Sequence, residues 1–130
     1  MINTRIVTPN GLYKELKTPI INITSADGER GILPNHMPVV FMINVGKLET
    51  EEDGVRQIYA ISEGMFYFEK NEANILVNTI ESKDEIDVSR AEASKERQIK
   101  KLESKDENYD LRRAEVSLRK AINRIKIANY

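Results

Sequence analysis

The chain has no cysteine and no tryptophan, one histidine and four prolines in 130 residues. Without cysteine there are no disulfides and no thiolate metal sites, which fits a reducing compartment. A single histidine, His36, leaves a zinc site without its usual ligand set, and no metal site is expected. Long apolar runs are also missing. Met37 to Val45 is the longest mostly apolar stretch; it is broken by Pro38 and Asn44 and is too short to cross a bilayer. Nothing resembles a signal peptide. Excess charge is missing too: the net charge is −1, so the whole chain has no general pull towards nucleic acid or anionic lipid. The six glycines are scattered at turns, and none builds a phosphate-cradling loop.

What is present divides in two. From Met1 to about Asp84 the sequence alternates short apolar runs with turn signals. Ile2–Val7 reads as a strand stopped by Thr8-Pro9-Asn10-Gly11, followed by a short strand from Leu12 to Leu16. Ile20–Thr24 follows, with Pro19 at its entrance and an Asp27-Gly28 hairpin turn beyond it. Gly31-Ile32-Leu33 leads into Pro34-Asn35-His36-Met37-Pro38, a stiff loop between two prolines. Val39–Val45 reads as a buried strand, and Lys47–Glu51 pairs with Val55–Ile61 across Glu52-Asp53-Gly54. Gly64 opens Met65–Glu69, and Asn71 to Asn74 turns into Ile75–Thr79. Such short strands and frequent turns predict an antiparallel β-sandwich over residues 1–84. Phe66, Tyr67 and Phe68 cannot all face inward, because neighbours alternate along a strand. The second face is either another core layer or a contact surface, and the core layer is preferred. His36 has no acid or nucleophile at a recognisable spacing, so it reads as structural or surface, and no catalytic residue is expected.

From Ile86 to Tyr130 there is neither proline nor glycine. Val88, Ala91, Ile99 and Leu102, with Lys95 among them, make a narrow helical stripe. Ser104–Asn108 reads as a polar turn. Leu111, Ala114, Leu118, Ala121, Ile122 and Ile125 then follow helical spacing. Residues 85–130 therefore predict a two-helix antiparallel hairpin. Asp87, Arg90, Ser94 and Lys101 share a polar side of the first helix, and Arg113, Lys120 and Arg124 share one on the second. Ile86-Asp87-Val88-Ser89-Arg90-Ala91 opens the hairpin and has two readings. Asp87 is a helix N-cap followed by a surface Arg, or the segment binds an anion at the helix start. In a folded hairpin Arg90 comes close to Arg124, and two cations there repel unless an anion lies between them.

The ordered set of segments resembles the epsilon-subunit family of bacterial F-type ATP synthase along nearly the whole chain. Gly31-Ile32-Leu33-Pro34-Asn35-His36-Met37-Pro38 matches the family loop Gly-Ile-Leu-Pro-x-His-x-Pro and is the most specific signal. Ser62-Glu63-Gly64-Met65-Phe66 falls where the family has a glycine-led segment. Arg113-Ala114-Glu115 and Ala121-Ile122-Asn123-Arg124 fall in the second helix.

The resemblance implies a rotor part of a proton-driven ATP synthase, not an enzyme in its own right. The sandwich is expected to bind the gamma subunit and rest on the c-ring. The hairpin is expected to inhibit ATP hydrolysis by meeting the catalytic alpha and beta subunits when extended. The place implied is the cytoplasmic face of the bacterial cell membrane, reached only through the complex. No cofactor is required; ATP enters as a regulatory ligand of the compact state. Ile86–Ala91 matches the family's Ile/Leu-Asp-x-x-Arg-Ala motif in full. The resemblance places ATP contacts on Glu81, Ile86, Asp87, Arg90, Ala91, Lys120 and Arg124, and partner contacts on His36, Arg113 and Lys120. Lys120 departs from the Arg of ATP-binding relatives: it keeps the charge and loses the planar fork. Two other classes compete. A β-domain adaptor whose basic helix binds nucleic acid is opposed by the net charge of −1 and by acids among the helical bases. A hydrolase centred on His36 has no supporting constellation.

Overall fold

The computed structural model describes residues 1–104 and 110–130. The expected turn over Ser104–Asn108 therefore lies, beyond Ser104, outside the described residues. The chain forms two compact units, Met1–Lys83 and Asp84–Tyr130.

The first unit has nine strands: β1 (Ile2–Thr8), β2 (Gly11–Thr18), β3 (Ile21–Ser25), β4 (Gly28–Ile32), β5 (Val39–Glu52), β6 (Val55–Ile61), β7 (Gly64–Glu69), β8 (Glu72–Val77) and β9 (Ile80–Ser82). They run in the order β2-β1-β8-β7-β5-β3-β4, with β6 joined to β5 and β9 joined to β6. This is the expected β-sandwich, and a single strand belongs to both of its layers. Val39–Val45 and Lys47–Glu51 are not separate strands; they are the two halves of β5. Its first half pairs with β7, from Val39 opposite Phe68 to Ile43 opposite Gly64. Its second half pairs with β6, from Gly46 opposite Ile61 to Glu52 opposite Val55. The change of partner falls at Asn44 and Val45, so the apolar run hid a switch of sheet, which hydrophobicity does not mark. Nor is the first half fully buried: Phe41 and Ile43 face the core, while Val40 and Met42 are each 56% exposed.

Three further differences concern the strands. Pairing is antiparallel except between β1 and β8, which run parallel with Ile6 opposite Ile75. The β7–β8 turn is only Lys70-Asn71, both left-handed (φ 51 and 59), and β8 already starts at Glu72. Like Asp53-Gly54 (φ 53 and 78), this pair has the two positive φ angles that match the twist of a two-residue hairpin. The run to Thr79 ends at Val77, and Ile80–Ser82 is a strand that the short sequence signal concealed.

The core takes alternate residues from each strand, among them Ile2 and Ile6, Ile21 and Ile23, Phe66 and Phe68, and Ile75 and Val77. Phe41 and Phe66 stack across β5 and β7, with centroids 4.6 Å apart. Tyr67 is 40% exposed, so the outer face of β7 is not the second core layer preferred from the sequence.

A polar cluster around Glu52 is built into this unit. Lys14 Nζ lies 2.6 Å from Glu52 Oε1. Thr50 and Tyr59 hydroxyls each donate to Glu52 Oε2 at 2.7 Å. Burial would raise the Glu52 carboxyl, but the hydrogen bonds from Lys14, Tyr59 and Thr50 outweigh it and hold it below its usual range. The Glu52 carboxylate holds Lys14 above its ordinary value. Burial, aided by the bond to Glu52, pushes the Tyr59 phenol up to about 12. The folded state therefore keeps a proton on Tyr59 that the unfolded chain has already lost. Its stabilising effect is complete below the ordinary value of 10.0 and disappears as pH rises towards about 12. Denaturant midpoints should fall across that window. Tyr59→Phe should flatten the fall and lower stability at neutral pH by about 1–2 kcal/mol. A wild-type midpoint that stays level between pH 10 and 12 contradicts this assignment.

A short 3-10 turn (Lys83–Glu85) spans the boundary, and the second unit holds two helices, α1 (Val88–Ser104) and α2 (Leu111–Ala128), which pack on each other. Seven residue steps separate Ser104 from Leu111 and reach at most about 25 Å, whereas a parallel return would have to cover the roughly 25 Å length of α1 and the about 8–10 Å between helix axes. A parallel arrangement would need a longer return, so the helices form the expected antiparallel hairpin. Its seam differs in detail from the apolar pattern. Ala91, Ala114 and Ala121 are buried, which allows close approach. Ile122, assigned to the stripe, is 45% exposed, and Ile127, outside that stripe, is buried. Leu111 is 38% exposed at the helix start. Ser94 and Lys101, assigned to the polar side of α1, are half-buried. Among the described residues no helix is long and apolar enough to cross a membrane.

Candidate functional site

The Ile86–Ala91 segment straddles the start of α1. Asp87 Oδ1 accepts the backbone N–H of Arg90 at 3.0 Å, and the Asp87 carbonyl accepts from Ala91 at 3.0 Å. Asp87 is thus an N-cap, which saturates one of the free donors at the helix start. Ile86 and Ala91 are buried, while Asp87 and Arg90 are exposed. The cap uses the Arg90 backbone, so its guanidinium is not needed for the helix.

The same local sequence recurs at the start of α2, a repeat that reading for the first motif overlooked. Asp110-Leu111-Arg112-Arg113-Ala114 has Asp and Arg-Ala at the same offsets, and Asp110 Oδ1 accepts from Arg113 N at 3.0 Å. Asp-x-x-Arg-Ala is therefore a capping sequence in its own right in this chain. What sets the first copy apart is its neighbours.

Those neighbours follow from the antiparallel packing. Arg90 lies about 20 Å of helix from the end of α1 and Arg124 about 20 Å from the start of α2, so they stand at the same end of the hairpin. Lys120 lies one turn closer to the connection than Arg124. Lys120 and Arg124 are half-buried, whereas Arg113 is exposed near the opposite end. The three basic residues grouped from the sequence thus divide between two ends of α2. Helix α2 carries six basic residues against one acid, Glu115, so positive charge is concentrated on this helix within a chain of net charge −1. The hairpin therefore places Ile86, Asp87, Arg90, Ala91 and Arg124 at one end, with Lys120 one turn away along α2. Glu81 belongs to the other unit, in β9, where it pairs with Ala60. Chemically the hairpin end offers two guanidiniums and an ammonium for phosphate oxygens, a carboxylate acceptor, and small apolar surfaces. Among the described residues there is no group of three or more His, Cys, Asp or Glu placed to hold a metal ion.

In the sandwich, His36 is half-buried in its loop. Its Nδ1 lies 2.7 Å from the Met37 carbonyl, and its ring meets Phe68 edge-on with centroids 5.9 Å apart. The first contact makes Nδ1 the protonated nitrogen of the neutral ring. Leu33 and Met37, on either side of His36, are 57% and 72% exposed. Val40 of β5 stands opposite Tyr67 of β7, Met42 opposite Met65, and Met65 opposite Leu76 of β8. Val40, Met42, Tyr67 and Leu76 are all exposed, so one outer face across three adjacent strands is apolar. Alternation in β5 and β7 carried this signal, once β5 is read as half-exposed.

Comparison with known proteins matches both units. Residues 1–83 match the family model described as the ATP synthase delta/epsilon chain beta-sandwich domain, and residues 84–129 its long alpha-helix domain. An ATP synthase epsilon chain from Pediococcus pentosaceus is 35% identical over 100% of this chain and 96% of its own length. One from Desulforamulus reducens is 41% identical over 95% of this chain and 93% of its own length. Among solved structures, a chain of the Euglena gracilis mitochondrial ATP synthase, in an assembly of OSCP, F1 and c-ring, has the same fold. It superposes with a TM-score of 0.83 at 22% identity, over 99% of this chain and 81% of that one. A chain of the Tetrahymena thermophila central stalk and c-ring matches less fully, with a TM-score of 0.54 over 65% of this chain and 68% of that one.

Proposed function

Because the chain belongs to the epsilon-subunit family of F-type ATP synthase, a family of central-stalk subunits, we propose that it is a non-catalytic rotor part whose hairpin senses ATP. Its sandwich docks on the gamma subunit and the c-ring. Its hairpin restrains ATP hydrolysis when extended towards the alpha and beta subunits, and bound ATP holds it folded. The subunit sits at the membrane through the complex, on the cytoplasmic side. The observation that carries the ATP reading is the common end of the hairpin shared by Ile86–Ala91 and Arg124. A ligand shifts this equilibrium only by its difference in affinity between the two states. ATP bridging two helices has such a difference, because extension separates its contacts. Ile86 and Ala91 give apolar contact to the base, Asp87 accepts from base or ribose, and Arg90, Arg124 and Lys120 hold the phosphates. Arg113, exposed at the other end of α2, is left for acidic surfaces of the catalytic subunits, with Lys120 beside ATP in one state and facing them in the other.

The docking reading is supported by the apolar outer face of β5, β7 and β8 and by the exposed Leu33 and Met37. A chain ending at Lys83 should still co-purify with gamma, since these residues all lie in the first unit. A folded truncation that fails to bind gamma refutes the division of roles between the units.

A further inference from the structure

We propose that Asn71 is a positioning residue for the 33–38 loop, holding it through paired hydrogen bonds with Asn35 in the shape in which it meets its stalk partner. This rests on the reading of that loop as part of the docking surface. Both residues have left-handed backbones, Asn35 with φ 67 and Asn71 with φ 59. Glycine serves such a backbone at least as well, so the conformation alone does not call for asparagine. The side chains supply what glycine lacks. The Asn35 backbone N–H donates to Asn71 Oδ1 at 2.6 Å. That bond fixes which way the Asn71 amide points, and its Nδ2 donates to Asn35 Oδ1 at 3.0 Å. The Asn71 carbonyl in turn accepts from Asn3 N at 2.9 Å, which fastens the β7–β8 turn to the start of β1.

The loop is thereby pinned at its centre, between Leu33 and Met37, the two exposed apolar side chains it carries. A second tie lies beside the first: the His36 N–H donates to the Leu33 carbonyl at 3.2 Å, and the His36 ring rests on Phe68. Phe68 belongs to β7, the strand that leads into the Lys70-Asn71 turn. The Asn71 bonds and the His36–Phe68 ring contact both join the loop to one hairpin, and the His36–Leu33 bond closes the loop on itself, so the loop is ordered before its partner arrives. A loop ordered in advance loses less conformational freedom on binding, and the gain is read mainly as slower dissociation.

The test uses the full chain and its gamma subunit. Asn71→Gly keeps the positive φ and removes both side-chain bonds. Asn71→Asp keeps an acceptor for the Asn35 N–H, and its second oxygen accepts from the Asn35 amide once that amide turns over. Asn71→Gly should speed amide exchange at Asn35 about tenfold and speed dissociation from gamma about three- to tenfold. Asn71→Asp should stay within about twofold of wild type in both measurements, on the same scale. Wild-type dissociation in Asn71→Gly, or unchanged exchange at Asn35, overturns the inference while the docking reading stands. A wild-type chain that does not bind gamma removes both. Equal losses in the Gly and Asp variants also overturn it, because the hydrogen bonds would then not be the cause.

Discussion

Replacing Gly64 by alanine should destabilise the sandwich by about 3 kcal/mol or more. Gly64 opens β7, opposite Ile43 on one side and Val77 on the other. A Cβ there would overlap the Leu76 carbonyl oxygen and come within 2.9 Å of Val77 Cα. Both obstacles are backbone, and backbone in the middle of a sheet cannot step aside as a side-chain tip can. Alanine therefore forces β7 and β8 apart or shifts their register, and the core residues Phe66 and Ile75 sit two pairs further along. For a unit of this size the loss corresponds to a fall in Tm on the order of 15 °C. Circular dichroism melts of wild type and Gly64→Ala measure it. A change of less than about 1 kcal/mol would mean that the β7–β8 pair is not as closely spaced as described.

Arg90→Ala should weaken ATP binding about ten- to a hundredfold, the loss expected when a charged partner of a phosphate is removed. The variant separates the two readings of the motif because the cap runs through the Arg90 backbone. Asp87→Ala cannot separate them, since it removes the cap together with any ligand contact and lowers helix stability by about 1 kcal/mol. The second Asp-x-x-Arg-Ala copy is the internal control: Arg113→Ala should leave ATP affinity unchanged. Lys120→Arg should act in the opposite direction and tighten binding, because a planar fork holds phosphate by two bonds and an ammonium by one contact at a time. Calorimetric titration with ATP, with and without Mg²⁺, reads all four. Unchanged affinity in Arg90→Ala means that the motif is a helix cap and nothing more.

The sandwich and the hairpin were legible in the sequence because each carries its own period. Ile2, Ile6, Ile21 and Ile23 mark strands by alternation, and Ala114 and Ala121 mark a helix by their seven-residue spacing. The unity of β5 was not legible. A strand that changes partner without breaking reads as two segments, and Gly46 inside it reads as a turn although it sits where Thr24 crowds the backbone. Strand β9 was missed because three residues are too few for a pattern. Ile127 stands about 140° round α2 from Ile122 and outside the apolar stripe, so helical spacing gave no sign that it is buried. The candidate ATP site was legible only in part: Asp87 and Arg90 are local in sequence, but the common end shared with Arg124 depends on the hairpin closing. The Asn35–Asn71 pair left no sequence signal, because its members are far apart and each alone is an ordinary turn residue.

The most direct test of the account is ATP hydrolysis by the reconstituted synthase, carrying either the full chain or a chain ending at Lys83, measured across ATP concentration. The full chain should slow hydrolysis relative to the truncated one at low ATP. The two rates should converge as ATP rises, and Arg90→Ala should move the convergence to higher ATP. Equal rates with and without the hairpin at every ATP concentration would contradict the account.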